Sequence, residues 1–157
     1  MHAGSSLELR VPPVAVALVA ALCMWLLSRW TPGGLEWGKP WRLGTAVFLL
    51  AAGILVAVAG VVEFRRARTT VNPTTPQATS SMVRSGIYRH TRNPMYLGML
   101  LVLAAWAAWL ANPVALVVLP AFLLYINRFQ IEPEERILAR LFAGEFDTYR
   151  LSVRRWL

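Results

Sequence analysis

Apolar positions in this chain do not alternate with polar ones. They gather into long uncharged stretches, and nearly all charge falls between them. Val11 to Ser28 forms one apolar stretch, Leu43 to Val62 a second with no charged residue, and Pro94 to Asn127 a third, also uncharged. Crossing the hydrocarbon of a bilayer takes about 20 apolar residues in a helix. The first two stretches therefore predict single spans at about 11–28 and 43–62, with Gly53 and Gly60 suited to close helix contact in the second. The third is too long for one crossing, and its only turn signal is Ala111-Asn112-Pro113. It predicts a tight helical hairpin, 95–110 and 114–127, with Pro120 kinking the last helix. The expected fold is all-α: one membrane domain over 1–157 with four transmembrane helices.

Two polar segments remain, a loop at 64–93 and a tail at 128–157. In the tail, Glu132-Pro133-Glu134-Glu135 reads as the first turn of a helix whose positive end stabilises the carboxylates. Leu138, Leu141, Phe142 and Phe146 then recur at amphipathic spacing. Such a helix is expected to lie on the membrane surface, with Arg136 and Arg140 toward headgroups.

Composition sharpens this reading. Of 157 residues, 57% are hydrophobic and only 15% charged, against roughly 45–50% and about 25% in soluble domains. A soluble globular protein is excluded on that balance. The net charge is +8, and fifteen of the sixteen basic residues are Arg, set in blocks between apolar runs. That arrangement favours anionic lipid over nucleic acid as a partner. Cys23 is the single cysteine and sits in an apolar run, so no disulfide or thiolate metal site is expected, and His2 and His90 add no metal ligand set. Val11 to Leu27 follows Arg10 as a signal peptide would, yet no small-residue cleavage pattern ends it, so it reads as a span.

Charge also predicts orientation, because short cytoplasmic loops hold the positive excess. Arg29, Lys39 and Arg42 lie between the first two spans, while the other thirteen basic residues lie before span one, in the 64–93 loop or in the tail. Both termini, the loop and the tail are therefore expected to be cytoplasmic, most naturally at a bacterial inner membrane. Trp30, Trp37 and Trp41 fit an aromatic belt at the opposite interface.

The loop and the tail together carry most of the polar chemistry, so any active site is expected there. Arg65, Arg66 and Arg68 read most simply as an anchor to anionic lipid. Thr69 to Pro76 is turn chemistry. Asn93-Pro94-Met95-Tyr96-Leu97-Gly98 places a proline in the first turn of span three and a glycine one turn deeper, with Arg92 just outside to meet an anion.

Two segments carry a family resemblance. SGIYRHTRNPMYLG, Ser85 to Gly98, is similar to the Gly-x-Tyr and Arg-(His/Asn)-Pro-x-Tyr-x-Gly pattern of the isoprenylcysteine carboxyl methyltransferase and phospholipid methyltransferase superfamily of membrane enzymes. EERILARLFAGEFDTY, Glu134 to Tyr149, is similar to that superfamily's Glu-Glu, Leu, Phe-Gly signature, with the glycine displaced to Gly144 and Ala143 in its place. With the preceding TTVNP segment the resemblance covers about 64–157.

The resemblance implies S-adenosylmethionine as methyl donor, held without a Rossmann domain. It assigns Tyr88, Arg92, Asn93, Pro94, Tyr96, Leu97, Gly98, Glu134 and Glu135 to the cofactor cradle. A carboxylate can accept from ribose hydroxyls or an ammonium, an Arg can fork a carboxylate, and a Tyr face suits a sulfonium. Methyl transfer needs alignment and exclusion of water more than a nucleophilic side chain. For a prenylcysteine-type carboxylate, the leading acceptor, Arg128 is the candidate to orient it and Glu135 the second catalytic candidate. For a phospholipid amine a base is needed, and Glu135 or Tyr96 is available. Either acceptor would be an amphiphile arriving from the bilayer. The alternative from another class is a non-catalytic membrane protein whose basic loop and tail recruit lipid or a partner.

Overall fold

The structure, a computed structural model, describes residues 8–32, 34–36, 38–68 and 81–157; His2, Trp37 and the TTVNP segment lie outside the described residues. All regular structure among them is helical. The order is α1 (Pro13–Trp30), α2 (Lys39–Arg66), a 3-10 turn (Gly86–Arg89), α3 (Pro94–Leu110), α4 (Pro113–Leu116), α5 (Val118–Ile126), a π-helical turn (Asn127–Ile131) and α6 (Glu132–Ser152).

Three helical runs are long and apolar enough to cross a membrane: α1, α2 and the run Pro113–Ser152, whose apolar part precedes the charged α6. α3 is equally apolar but shorter, at 17 residues. α2 extends beyond the expected 43–62 at both ends, taking in Lys39, Arg42, Glu63, Arg65 and Arg66. Long basic side chains allow this, because their stems lie along apolar surface while their charges reach water.

α2 and α3 form the closest seam in the molecule. A Cβ at Gly98 would lie 2.6 Å from the Gly53 carbonyl oxygen, and one at Gly53 would lie 2.8 Å from the Gly98 carbonyl oxygen. Further along, Gly60 leaves room for Pro94 and Met95, which a Cβ there would meet at 3.1 Å. Small residues are what such an approach requires where lipid offers no hydrophobic drive for association. On its other side α3 meets α1, where Trp106 Nε1 donates to the Ala21 carbonyl at 3.0 Å. Between α1 and α2 an apolar groove of about 660 Å³ stays open, floored by Gly98, Val102 and Trp106 of α3.

The hairpin turn forms where the sequence places it. Ala111 adopts a left-handed conformation (φ 49°) that ends α3, and Asn112 Oδ1 accepts from the Val114 amide at 2.9 Å to start α4. Asn112 Nδ2 also donates to Thr31 Oγ1 at 3.0 Å, tying the turn to the end of α1. The last apolar segment is broken at Val117, one turn before Pro120. Proline has no N–H to offer the carbonyl four residues back, here Leu116.

One expectation needs correction. Glu132 does not begin a new helix: Ile131 before it is already helical, and α5, the π turn and α6 follow one another without an intervening loop. Glu132, Glu134 and Glu135 therefore do not sit at a free positive helix end. Pro133 explains the π turn, since it lacks the amide that would bond the Phe129 carbonyl and the helix must adjust around it. Later in the same helix Phe142 and Ala143 depart from helical geometry, Ala143 with φ 20° and ψ −110°. The displaced glycine thus leaves an alanine in a conformation that glycine tolerates best.

Candidate functional site

The site begins at the charged end of α2. Glu63 is buried there, accepting from Arg66 Nη1 at 3.0 Å and from the Ser85 hydroxyl. Its carboxyl carbon lies 2.6 Å from where a Cβ on Gly86 would stand, and Gly86 has φ +56°. Only glycine meets both conditions, so it fixes the 3-10 turn against α2. That turn delivers Tyr88 into the interior, its ring edge-on to Phe64 at 5.5 Å between centroids. Tyr149 of α6 donates from its hydroxyl to the Tyr88 carbonyl at 2.7 Å. Burial pushes the Tyr88 phenol well above its ordinary value and Tyr149 up to about 12. Both phenols therefore stay protonated near neutral pH and do not serve as bases, and that of Tyr149 is the donor to the Tyr88 carbonyl.

The segment after Tyr88 is stitched to the far end of the tail. The Arg92 amide donates to the Arg154 carbonyl at 3.1 Å, and Asn93 Nδ2 donates to the Arg155 carbonyl at 2.9 Å. Buried Thr91 adds a hydroxyl bond to that carbonyl at 3.3 Å. Arg92 Nη2 lies 2.9 Å from Glu135 Oε1, and Arg155 Nη2 lies 2.6 Å from Glu135 Oε2. Arg92 also donates through Nη1 to the Arg150 carbonyl at 3.1 Å. Burial draws the Arg92 pKa down while Glu135 opposes the shift, and a guanidinium stays charged throughout. Its Nε is buried with no hydrogen-bond partner.

Glu134 and Glu135 are adjacent, yet their surroundings differ. Glu135 gives both oxygens to arginines, whereas Glu134 Oε1 accepts from the Tyr96 hydroxyl at 2.6 Å and has no guanidinium within ion-pair distance among the described residues. Burial raises the Glu134 carboxyl to about 8, with the Tyr96 bond pulling the other way and Glu135 adding to the rise. This site therefore holds a titratable carboxyl poised near neutral pH beside a neutral phenol.

The residues expected in the cofactor cradle separate into two groups. Tyr88, Arg92, Asn93, Tyr96, Glu134 and Glu135 converge in one polar cluster through the bonds above. Pro94 and Gly98 pack on α2 instead, and Leu97 is buried in α3 with its amide bonded to the Asn93 carbonyl at 2.9 Å. Arg128 stands apart from that cluster. It pairs with Glu8 at 2.8 Å and, more loosely, with Glu132 at 3.8 Å, and its guanidinium lies 5.6 Å from the Phe129 ring centre.

Sequence reasoning missed Glu63, Tyr149, Arg155 and Glu8. Glu63 left a signal, being an acid directly against an apolar span, where charge is rarely placed without a role. Tyr149 left one too, as the last residue of the tail motif, whereas Arg155 and Glu8 left none, because their partners lie far along the chain. Among the described residues no three His, Cys, Asp or Glu side chains converge as a metal site would.

Comparison with known proteins agrees with the motifs. The phospholipid methyltransferase family model matches residues 41–145, more than half of the chain. A protein of Haemophilus influenzae described as uncharacterized is 48% identical over 63 residues, which are all of that protein and 40% of this chain. No solved structure matches.

Proposed function

The chain belongs to the phospholipid methyltransferase family of integral membrane methyltransferases, and from that premise we propose that it transfers a methyl group from S-adenosylmethionine to the amine of a lipid headgroup. The observation that carries this reading is the Glu134 carboxyl, raised to about 8 and bonded to Tyr96 rather than to a cation. A lipid ammonium must lose a proton before its nitrogen has a lone pair to offer. A base titrating near the working pH does this best. For a prenylcysteine-type carboxylate no base is needed, and Arg128, the residue expected to orient it, stands apart from the Tyr96–Glu134 pair, bonded instead to Glu8.

The cluster also fits the methyl donor. Buried Arg92 Nε has an N–H with no protein acceptor, suited to the donor's carboxylate, and Glu134 can accept from its ribose or ammonium. When bound, S-adenosylmethionine supplies a methyl group on a sulfonium, which leaves as a neutral thioether. Glu134 takes the proton from the acceptor ammonium, and Tyr96 holds the carboxyl in place through its hydroxyl. Glu135 positions Arg92 and Arg155, keeping the loop and the tail together around the donor. On the positive-inside argument, with the four crossings expected from the apolar runs, the cluster and both termini face the cytoplasm.

The test is product analysis in proteoliposomes containing both phosphatidylethanolamine and a prenylcysteine, with isotopically labelled S-adenosylmethionine. N-methylated lipid is the expected product. A methyl ester would overturn the amine reading and return the carboxylate as acceptor. No product, with no saturable binding of S-adenosylhomocysteine by folded protein, would leave the recruitment alternative.

A further inference from the structure

Where the last apolar segment passes into α6, the segment 8–12 lies across the helix as a strap. Pro133 leaves the Phe129 carbonyl without a helical partner, and the Leu9 amide takes it at 3.0 Å. Gln130, fully buried, donates from Nε2 to the Val11 carbonyl at 2.7 Å. These bonds set Glu8 between two arginines of the helix: Oε1 accepts from Arg128 Nη1 at 2.8 Å and Oε2 from Arg136 Nη2 at 2.5 Å. The Glu8 side chain is only 13% exposed, but those of Arg128 and Arg136 are 50% and 48% exposed. Glu132, at 3.8 Å from Arg128, is the other acid facing this pair.

Two guanidiniums converging on one anion that offers two oxygens is the geometry that recognises a carboxylate or a phosphodiester. Here the anion belongs to the chain itself. Its hold is strained, since Leu9 adopts φ 59°, a left-handed conformation that a leucine rarely takes. The surface below the arginines is apolar and open, with Leu124 exposed and Tyr125 packed on Phe129 at 4.8 Å. An anion reaching this pair alongside that surface would carry a hydrocarbon tail.

We propose that Arg128 and Arg136 form a binding site for the phosphodiester of a lipid headgroup, and that Glu8 occupies this site as a built-in competitor the lipid must displace. The inference rests on the lipid-acceptor reading above, placing the headgroup phosphate on the same helix as Glu134. A competitor held in the chain lowers apparent affinity by the fraction of molecules in which it is docked. Removing its charge should therefore tighten lipid binding.

The test is binding of dihexanoyl phosphatidylglycerol, inorganic phosphate and dihexanoylglycerol to the full chain in a neutral detergent, without methyl donor. The wild type is compared with Glu8→Gln, Glu8→Asp, Glu8→Gln/Arg136→Ala and Glu145→Gln, the last removing one negative charge from α6 away from this pair. Glu8→Gln should bind the phosphatidylglycerol about tenfold tighter, and Glu8→Asp, too short to bridge both arginines, should gain less. The double variant should lose the gain, Glu145→Gln should match wild type, and neither inorganic phosphate nor dihexanoylglycerol should compete. Equal lipid affinity in wild type and Glu8→Gln overturns the proposal, as does an equal gain in Glu145→Gln. Competition by inorganic phosphate at similar concentration assigns the site to a water-borne anion and also overturns it. Because this test needs no methyl donor, lipid binding as expected here together with no methylated product in the proteoliposome assay would count against the proposed function and leave this site standing.

Discussion

Where α2 meets α3, carbonyl oxygens stand where side chains would be: the Gly53 and Gly98 positions have no space for a single added carbon. Where residues 91–93 meet the tail, contact is made by guanidiniums, a carboxylate and backbone carbonyls. The first seam lies within the apolar runs and gains its strength from closeness, since dispersion and small-residue packing are what bring helices together among lipid tails. The second lies at the polar end of the same helix α3, where charge-assisted bonds fix direction as well as distance. One helix thus carries a rigid contact one turn inside it and an oriented one at its end. Glu134 lies beside the second seam but is not part of it.

Substitutions can separate these roles. The largest effect is expected for Glu134→Gln, which should slow methyl transfer about a thousandfold, or about 4 kcal/mol in barrier, with the helical circular dichroism unchanged. The same variant tests the pH argument. The folded-state value near 8 exceeds the unfolded 4.5, so this group's stabilisation is present in full below 4.5 and is lost as pH rises through 8. Thermal midpoints of the wild type should therefore fall across that window, and those of Glu134→Gln should fall less. A variant that kept wild-type rates would remove Glu134 from the chemistry.

Next comes the polar seam. Glu135→Gln leaves Arg92 and Arg155 facing each other without their shared anion, and should destabilise by about 3 kcal/mol given the partial burial of the group. Hydrogen exchange should show the loss at residues 91–93 and 150–155 first. Uniform loss across α2 and α3 would instead mean that the two seams are one cooperative unit. In the apolar seam, Gly98→Ala forces a carbon against the Gly53 carbonyl and Ala57, and should destabilise by about 2 kcal/mol. That loss should appear in thermal unfolding in detergent while the exchange pattern of the polar seam is retained. The smallest effect is a gain: Ala143→Gly should stabilise by about 1 kcal/mol, because the backbone there already has a positive φ. An unchanged midpoint would mean the kink relaxes around alanine.

The helices were legible because uncharged runs of sufficient length have few alternatives, and the Asn112 turn because Asn-Pro after an apolar run offers both a cap and a break. The cluster around Tyr88, Arg92, Asn93, Tyr96, Glu134 and Glu135 was legible only as a set of residue types. Which carboxylate pairs with which cation depends on contacts across some forty residues, as between Arg92 and Glu135, and spacing along the chain says nothing of those. The assignment of Glu132, Glu134 and Glu135 to a helix start failed for a related reason. Pro133 is favoured at helix starts, but it is also tolerated inside a helix when a π turn absorbs it and another amide, here that of Leu9, takes the freed carbonyl.

The helical run from Val118 to the kink at Phe142 has a mechanical meaning. Its 24 residues, 118–141, measure about 36 Å, more than the roughly 30 Å hydrocarbon thickness of a bilayer. A helix that spans a bilayer answers changes in thickness by tilting, and here the part beyond the bilayer must swing with it. Glu134 rides on that outer part, two turns before the kink at Phe142. Membrane thickness thus becomes an input to the position of the Glu134 carboxyl, and, on the proposed methyl transfer, turnover measured in vesicles of graded acyl length should pass through an optimum.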